Sequence, residues 1–343
     1  MAYIYCPMQY RYALFLFIPI HVFAVACAQG EPVTSFRDLA EAASLRGETV
    51  VEGRDGWLFF MPELRHLGAG PFWGAAAETA SRATRADARD PLPAILAFHK
   101  ALKAEGAELI LAPVPPKAVI HEHQLPGMEG RATARPDTHH QAFYELLREE
   151  GITVLDLTDV FRDAPEDERG PLYCLQDTHW SGVACVLAAQ QMAEQINALL
   201  GDTERQVYDT EWRTIEITGD LWRMLDNPDL PRETLQVRTV QGATPERASP
   251  VILLGDSHTL VFQAGGDMHY SGAGLADQLA VELGLPVDLI GVRGSGATPA
   301  RINLLRRAQG DPNYWENKRV VIWVFAAREF TESDGWRIVP IAP

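Results

Sequence analysis

Basic clusters are missing from this 343-residue chain. Lys and Arg number 30 against 46 Asp and Glu, giving a formal net charge of −16, and no basic run occurs anywhere. Binding to a phosphate backbone or an anionic lipid surface draws on clustered Lys and Arg, so no nucleic-acid partner is expected. Cysteine is scarce: only Cys6, Cys27, Cys174 and Cys185. Neither a Cys-x-x-Cys nor a His-x-x-x-His spacing is present, so no metal and no cofactor is expected. A second long apolar run is absent after the N-terminus, which leaves the rest of the chain without a membrane span. Low-complexity tracts and internal repeats are absent as well. With 47% hydrophobic residues, the chain can bury a large core as one big domain or two small ones.

The N-terminus carries the first positive signal. Arg11 is the only basic residue of the first 30, and the stretch from Tyr12 to Ala26 is apolar apart from Pro19 and His21. It is short for a span and is followed by small residues, as in an export leader. Ala26-Cys27-Ala28 has the small-x-small form of a cleavage site. Ala24-Val25-Ala26-Cys27 is also a loose lipobox that would place a lipid on Cys27, although the usual Leu three residues earlier is absent. The expected layout is a signal peptide over 1–28, a linker with a short helix over 29–49, and one domain over 50–343, with the body of the protein periplasmic. In that oxidising setting Cys174 and Cys185 can either pair or remain as buried thiols.

From residue 50 onward the pattern is α/β. Val50-Val51 and Trp57 to Phe60 read as strands of a hairpin around the Asp55-Gly56 turn. Residues 61–90 read as irregular. Helices are predicted over Pro91–Glu105, Thr138–Glu150, Gly182–Leu200, Leu275–Leu283 and Pro299–Ala308. Strands are predicted over Glu108–Pro113, Thr153–Leu157, Pro250–Gly255, Val287–Ile290 and Val320–Phe325. Such alternation implies a parallel sheet covered on both faces, with functional groups at the carboxyl ends of its strands.

Two segments carry chemistry. The apolar strand Val251 to Leu254 runs into Gly255-Asp256-Ser257-His258, which presents the Ser257 hydroxyl at a strand end, where its own amide can help form an oxyanion hole. In Asp177-Thr178-His179-Trp180, alternate residues of an extended segment can face the same way, so Asp177 can orient His179 and leave Nε2 free to take a proton. Ser181 is suited to cap the helix that follows, and Trp180 to wall the pocket. Either segment alone also fits an ordinary turn or helix cap. Together they supply a nucleophile, a base and an orienting acid.

The chain resembles the AlgJ/AlgX-like alginate O-acetyltransferases, a branch of the SGNH-hydrolase-like proteins. The resemblance rests on Gly53-Arg54-Asp55-Gly56-Trp57-Leu58-Phe59, Pro113-Val114-Pro115-Pro116-Lys117 and Asp156-Leu157-Thr158. It rests also on Leu172 through Trp180 and on Gly255-Asp256-Ser257-His258, and it spans roughly Val50 to Phe330. Ordinary SGNH hydrolases place the Ser block first, whereas here Asp-x-His precedes Ser, as in that family. The resemblance implies a three-layer α/β/α fold with a mainly parallel sheet, and a triad of Asp177, His179 and Ser257. The chain ends soon after Phe330, which leaves no expected room for a carbohydrate-binding module and leans towards the AlgJ type. Arg293 and Ser295 after one strand, Arg328 after another, and Trp180 are the candidate substrate contacts; Lys117 either binds an acidic sugar or closes a loop. Trp57, Trp73, Trp180 and Trp222 suit either sugar stacking or the core. The expected activity is transfer of acetyl groups to an exopolysaccharide, alginate-like or cellulose-like, from a donor supplied by a membrane acyltransferase. A carbohydrate acetylesterase with the same triad, and a non-catalytic polysaccharide-binding or export scaffold, are the alternatives.

Overall fold

A computed structural model describes residues 1–2, 35–128, 135–201, 203–227 and 229–342. The expected signal peptide and Cys27 fall almost wholly outside them. Residues from Val33 onward form one compact unit.

Nine strands occur among the described residues: β1 (Val50–Glu52), β2 (Leu58–Phe60), β3 (Glu108–Val114), β4 (Thr153–Val154), β5 (Thr210–Ile217), β6 (Glu233–Val240), β7 (Val251–Gly255), β8 (Asp288–Gly291) and β9 (Val320–Ala326). Five of them make the central sheet in the order β4-β3-β9-β7-β8, and every pairing is parallel. Helical crossovers cover both faces of such a sheet, which is why β7 and β9 are apolar and buried at every position. Alternate side chains feed two cores. Val251, Leu253, Val320, Ile322 and Val324 pack with helices Gly182–Leu200 and Leu275–Leu283 on one face. Ile252, Leu254, Val321, Trp323 and Phe325 pack with helices Pro91–Ala104, Thr138–Glu149 and Thr298–Gln309 on the other. The result is the expected three-layer α/β/α arrangement.

Three regions go beyond the reading of the sequence. The short helix expected within 29–49 is present as Phe36–Arg46, and what goes beyond the reading is that its Phe36, Leu39, Ala40 and Ala43 are buried in the main core. Residues 61–90, expected to be irregular, begin with helix Met61–Gly68, which has Pro in its first turn. Between the helix ending at Leu200 and β7, β5 and β6 pair as a long antiparallel hairpin with helix Asp220–Leu225 between them. That insertion turns out to supply part of the site. Cys174 and Cys185 are buried and unpaired.

Candidate active site

Ser257 stands at the carboxyl end of β7, beside β9 in the centre of the sheet. Gly255 makes this possible: a Cβ there would lie 2.0 Å from the Val324 carbonyl oxygen of β9. The chain turns immediately afterwards into a single 3-10 turn, Ser257–Thr259, capped by Asp256. One Asp256 oxygen accepts from the His258 amide at 2.9 Å and His258 Nδ1 at 3.0 Å. The other accepts from the Ala326 amide at 2.7 Å, which ties the end of β7 to the end of β9. The Ser257 turn is therefore fixed from both sides, and Ser257 remains 8% exposed.

Asp177 and His179 arrive on a tight loop rather than on a regular element. Tyr173 and Trp180 pair across its base, and the Ser181 hydroxyl caps helix Gly182–Leu200 as the sequence suggests. Three charged groups hold the loop, Lys117 and Glu233 buried and Asp220 half-buried. Lys117 Nζ donates to the carbonyls of Leu58, Leu175 and Asp177 at 2.6, 2.9 and 3.1 Å. The Glu233 carboxylate on β6 accepts from the Leu175 and Gln176 amides at 2.7 and 2.9 Å. Asp220 accepts from the Thr178 amide at 2.8 Å and the Thr178 hydroxyl at 2.5 Å. Lys117 is thus a structural tie inside the protein, and burial lowers its pKa.

These two segments meet. His179 Nε2 lies 2.7 Å from Ser257 Oγ, and His179 Nδ1 lies 2.5 Å from Asp177 Oδ1. The His179 amide also donates to Asp177 Oδ1 at 3.0 Å, while Oδ2 accepts from the Asp220 amide at 2.8 Å and His269 Nε2 at 3.0 Å. Burial opposes ionisation of Asp177, but the charges and hydrogen bonds of His179 and His269 outweigh it and hold the carboxyl well below the usual range. Burial likewise opposes the His179 imidazolium, and Asp177 outweighs it, so the pKa of His179 is raised. Asp177, His179 and Asp220 also offer ligand atoms within 4.8 Å of one another. Both Asp177 oxygens and both Asp220 oxygens already accept hydrogen bonds from backbone or side-chain donors.

A second Asp-x-His unit, Asp256 and His258, repeats the spacing of Asp177 and His179. Its imidazole packs 4.8 Å from the His179 ring and edge-on to Trp180. Burial lowers the His258 pKa despite the opposing charge and hydrogen bond of Asp256. Asp220 and His269 were not singled out from the sequence, and His258 was named there only as the last residue of the Gly255-Asp256-Ser257-His258 segment. The repeated Asp-x-His spacing was legible for His258, whereas nothing in the sequence joins Asp220 or His269 to the triad.

The candidate substrate contacts lie in different settings. Trp180 is 0% exposed and touches the site through His258. Arg293 is exposed and pairs with Asp267 at 2.6 Å. The Ser295 hydroxyl donates to Glu329. Burial, together with the charge of Asp256, pushes Glu329 up to about 7. Arg328 lies 3.9 Å from Glu63 and over the Phe60 ring. A separate cleft of about 730 Å³ is lined by Trp57, His121, His123, Phe161 and Arg162; no residue of the triad lines it.

Residues 50–327 match the family described as "SGNH hydrolase-like domain, acetyltransferase AlgX". The chain is 26% identical over 297 residues to the probable alginate O-acetylase AlgJ of Pseudomonas putida, covering 81% of this chain and 69% of that protein. It is 27% identical over 294 residues to the corresponding protein of Pseudomonas aeruginosa, covering 81% and 70%. Among solved structures, the O-acetyltransferase domain of Pseudomonas putida AlgJ superposes with a TM-score of 0.60 at 26% identity, over 82% of this chain and 91% of that one. Pseudomonas aeruginosa AlgX shares the fold with a TM-score of 0.58 at 18% identity, over 81% and 61%. The chain belongs to the SGNH-hydrolase-like AlgJ/AlgX family of alginate-related acetyltransferases.

Proposed function

We propose that this protein is a periplasmic O-acetyltransferase that moves acetyl groups onto hydroxyls of an exopolysaccharide, alginate-like or cellulose-like, through an acetyl-Ser257 intermediate. The observation that carries this reading is the continuous line from Asp177 Oδ1 through the His179 ring to Ser257 Oγ, with contacts of 2.5 and 2.7 Å.

Ser257 Oγ attacks the carbonyl carbon of a bound acetyl ester or thioester as His179 Nε2 takes the hydroxyl proton. Asp177 keeps the proton on Nδ1 and stabilises the imidazolium. The carbonyl oxygen becomes an oxyanion facing the Ser257 amide, which meets no acceptor among the described residues. Collapse of this intermediate breaks the bond to the donor's leaving group, which departs with the proton from His179. A sugar hydroxyl then attacks acetyl-Ser257, gives its proton to His179, and leaves as the acetyl ester while Ser257 regains its hydrogen. General-base catalysis accounts for about 10²–10⁴-fold and one oxyanion donor for about 10²–10³-fold.

Acceptor recognition is assigned to the loops after β8 and β9, where Arg293 faces solvent and Arg328 lies near the end of β9. The acetyl donor is supplied by a membrane acyltransferase, and the leader at 1–28 delivers the protein to it. The test is to incubate the mature protein with a chromogenic acetyl ester, with and without oligosaccharide acceptors. Chromogen release accompanied by acetylated sugar is expected; release with acetate as the sole product, whichever acceptor is added, points to an esterase instead.

A further inference from the structure

We propose that His269 is a positioning residue of the reaction, acting through Asp177 as the second imidazole on the triad's carboxylate. The proposal rests on the triad reading above and extends it to a residue that neither motif contains.

The geometry is specific. Asp177 accepts four hydrogen bonds, two on each oxygen. Three come from its own loop and from the backbone of residue 220. The fourth comes from His269, 92 residues away in sequence, whose Nε2 donates to Oδ2 at 3.0 Å. The His269 side chain is 4% exposed and Asp177 is 1% exposed, so this contact is shielded from water. A carboxylate on a bent loop can rotate about its terminal torsion, and that rotation would carry Oδ1 away from His179 Nδ1. The two donors on Oδ2, the Asp220 amide and His269 Nε2, oppose it.

The backbone of His269 points the same way. It has φ 70° and ψ −54°, and the Tyr270 amide bonds to the Met268 carbonyl across it at 2.9 Å. This is a γ-turn of the rare form with positive φ, which a non-glycine residue adopts only under strain. Phe262, in the same loop, also has a positive φ of 57°. Glycine would relieve the strain at 269, but only an imidazole or a side chain of similar reach can span to Asp177. The loop is cross-tied to hold this shape: the Phe262 amide donates to Met268 O, the Gly265 amide to Tyr270 O, and the Ala273 amide to Phe262 O, at 2.9, 2.9 and 3.0 Å. A strained residue inside a well-tied loop, aimed at the catalytic carboxylate, matches a position maintained for function rather than for the fold alone.

The consequence for the reaction has a sign. The His269 donor draws negative charge off Asp177. Without it the carboxylate is more basic, binds the His179 imidazolium more tightly, and makes His179 a slower proton donor to the leaving group. It also turns more freely. The charged and titratable groups facing His179 are Asp177, Asp220, Asp256 and His258, none of which changes in the variants below.

His269→Ala and His269→Gln are compared with the wild type, with Ser257→Ala as the blank. Gln places an amide N–H near the position of Nε2. The expected result is that His269→Ala lowers kcat by about tenfold with KM little changed, and moves the acid limb of kcat/KM to higher pH, while His269→Gln recovers most of both. In proton spectra of the unliganded protein, the downfield His179 Nδ1–H resonance shifts in His269→Ala and returns towards its wild-type position in His269→Gln. Wild-type kcat, acid limb and resonance in His269→Ala overturn the proposal. So does equal loss in both variants accompanied by equal loss of thermal stability, which marks a purely structural residue. Undiminished turnover in Ser257→Ala would instead overturn the triad itself, and the resonance still reports on His269 in that case.

Discussion

At the residue scale, the site is a set of buried charges whose ionisation is set by their neighbours. Asp177→Asn keeps the size of the side chain but can present an N–H to His179, which favours the wrong tautomer; kcat falls by about 10³–10⁴-fold, and the melting temperature falls as well because the amide turns its NH2 towards two of the four donors the carboxylate accepts. In the proposed mechanism His179 is neutral when it accepts the Ser257 proton, and Asp177 raises its pKa over the opposition of burial, so kcat/KM is expected to fall as pH drops through a midpoint above the ordinary histidine value of about 6.5. A pH–rate profile checks this. Glu329 offers a separate test of the electrostatics. Its pKa is raised in the folded state to about 7, by burial and by Asp256. The folded protein therefore holds that proton more tightly than the unfolded chain, and stability present below the unfolded value of about 4.3 is lost as pH rises through 7. Glu329→Gln removes that loss. Its stability relative to the wild type rises by on the order of 2 kcal/mol between about pH 5 and about pH 8, readable from paired denaturation curves.

At the scale of elements, the triad depends on how two loops are clamped. A Cβ on Gly219 would lie 1.9 Å from the Gln176 carbonyl oxygen and 3.0 Å from the Asp177 amide. Gly219→Ala therefore displaces the Asp177 loop, and its loss of activity exceeds what its loss of stability explains. Lys117→Met removes the ammonium from the Leu58, Leu175 and Asp177 carbonyls, of which Leu175 still accepts from the Leu58 amide, and costs about 3 kcal/mol, measurable by urea denaturation. Much of this level was legible in the sequence. Apolar runs such as Val251 to Leu254, and amphipathic helices such as Gly182–Leu200, declare themselves because burial dictates their composition. The β5–β6 hairpin does not: most of β5 is exposed, so no apolar alternation marks it. Helix Met61–Gly68 is short and opens with Met-Pro, which hides its period. The unread hairpin matters to the site, since it carries Glu233 and the segment between its strands carries Asp220.

At the scale of the molecule, the parallel sheet converts separated segments into one site. Asp177 and His179, Asp220, Ser257 and His269 converge where β7 ends beside β9, as open α/β sheets gather their ligands at strand ends. Their order along the chain, Asp-x-His before Ser, was readable, and with it the family. The partners of the triad were not, because Asp220 and His269 are joined to it only by tertiary contacts of the folded chain. The candidate contacts Arg293, Ser295 and Arg328 show the same limit: each follows a strand as expected, and each has a protein partner that no motif announces. The most direct measurement is intact mass and peptide mapping of the protein after brief incubation with an acetyl donor and no acceptor. The account predicts one added acetyl group on Ser257, absent in His179→Ala and discharged as acetylated sugar when an oligosaccharide is added. Acetyl on another residue, or undiminished turnover by Ser257→Ala, would contradict it.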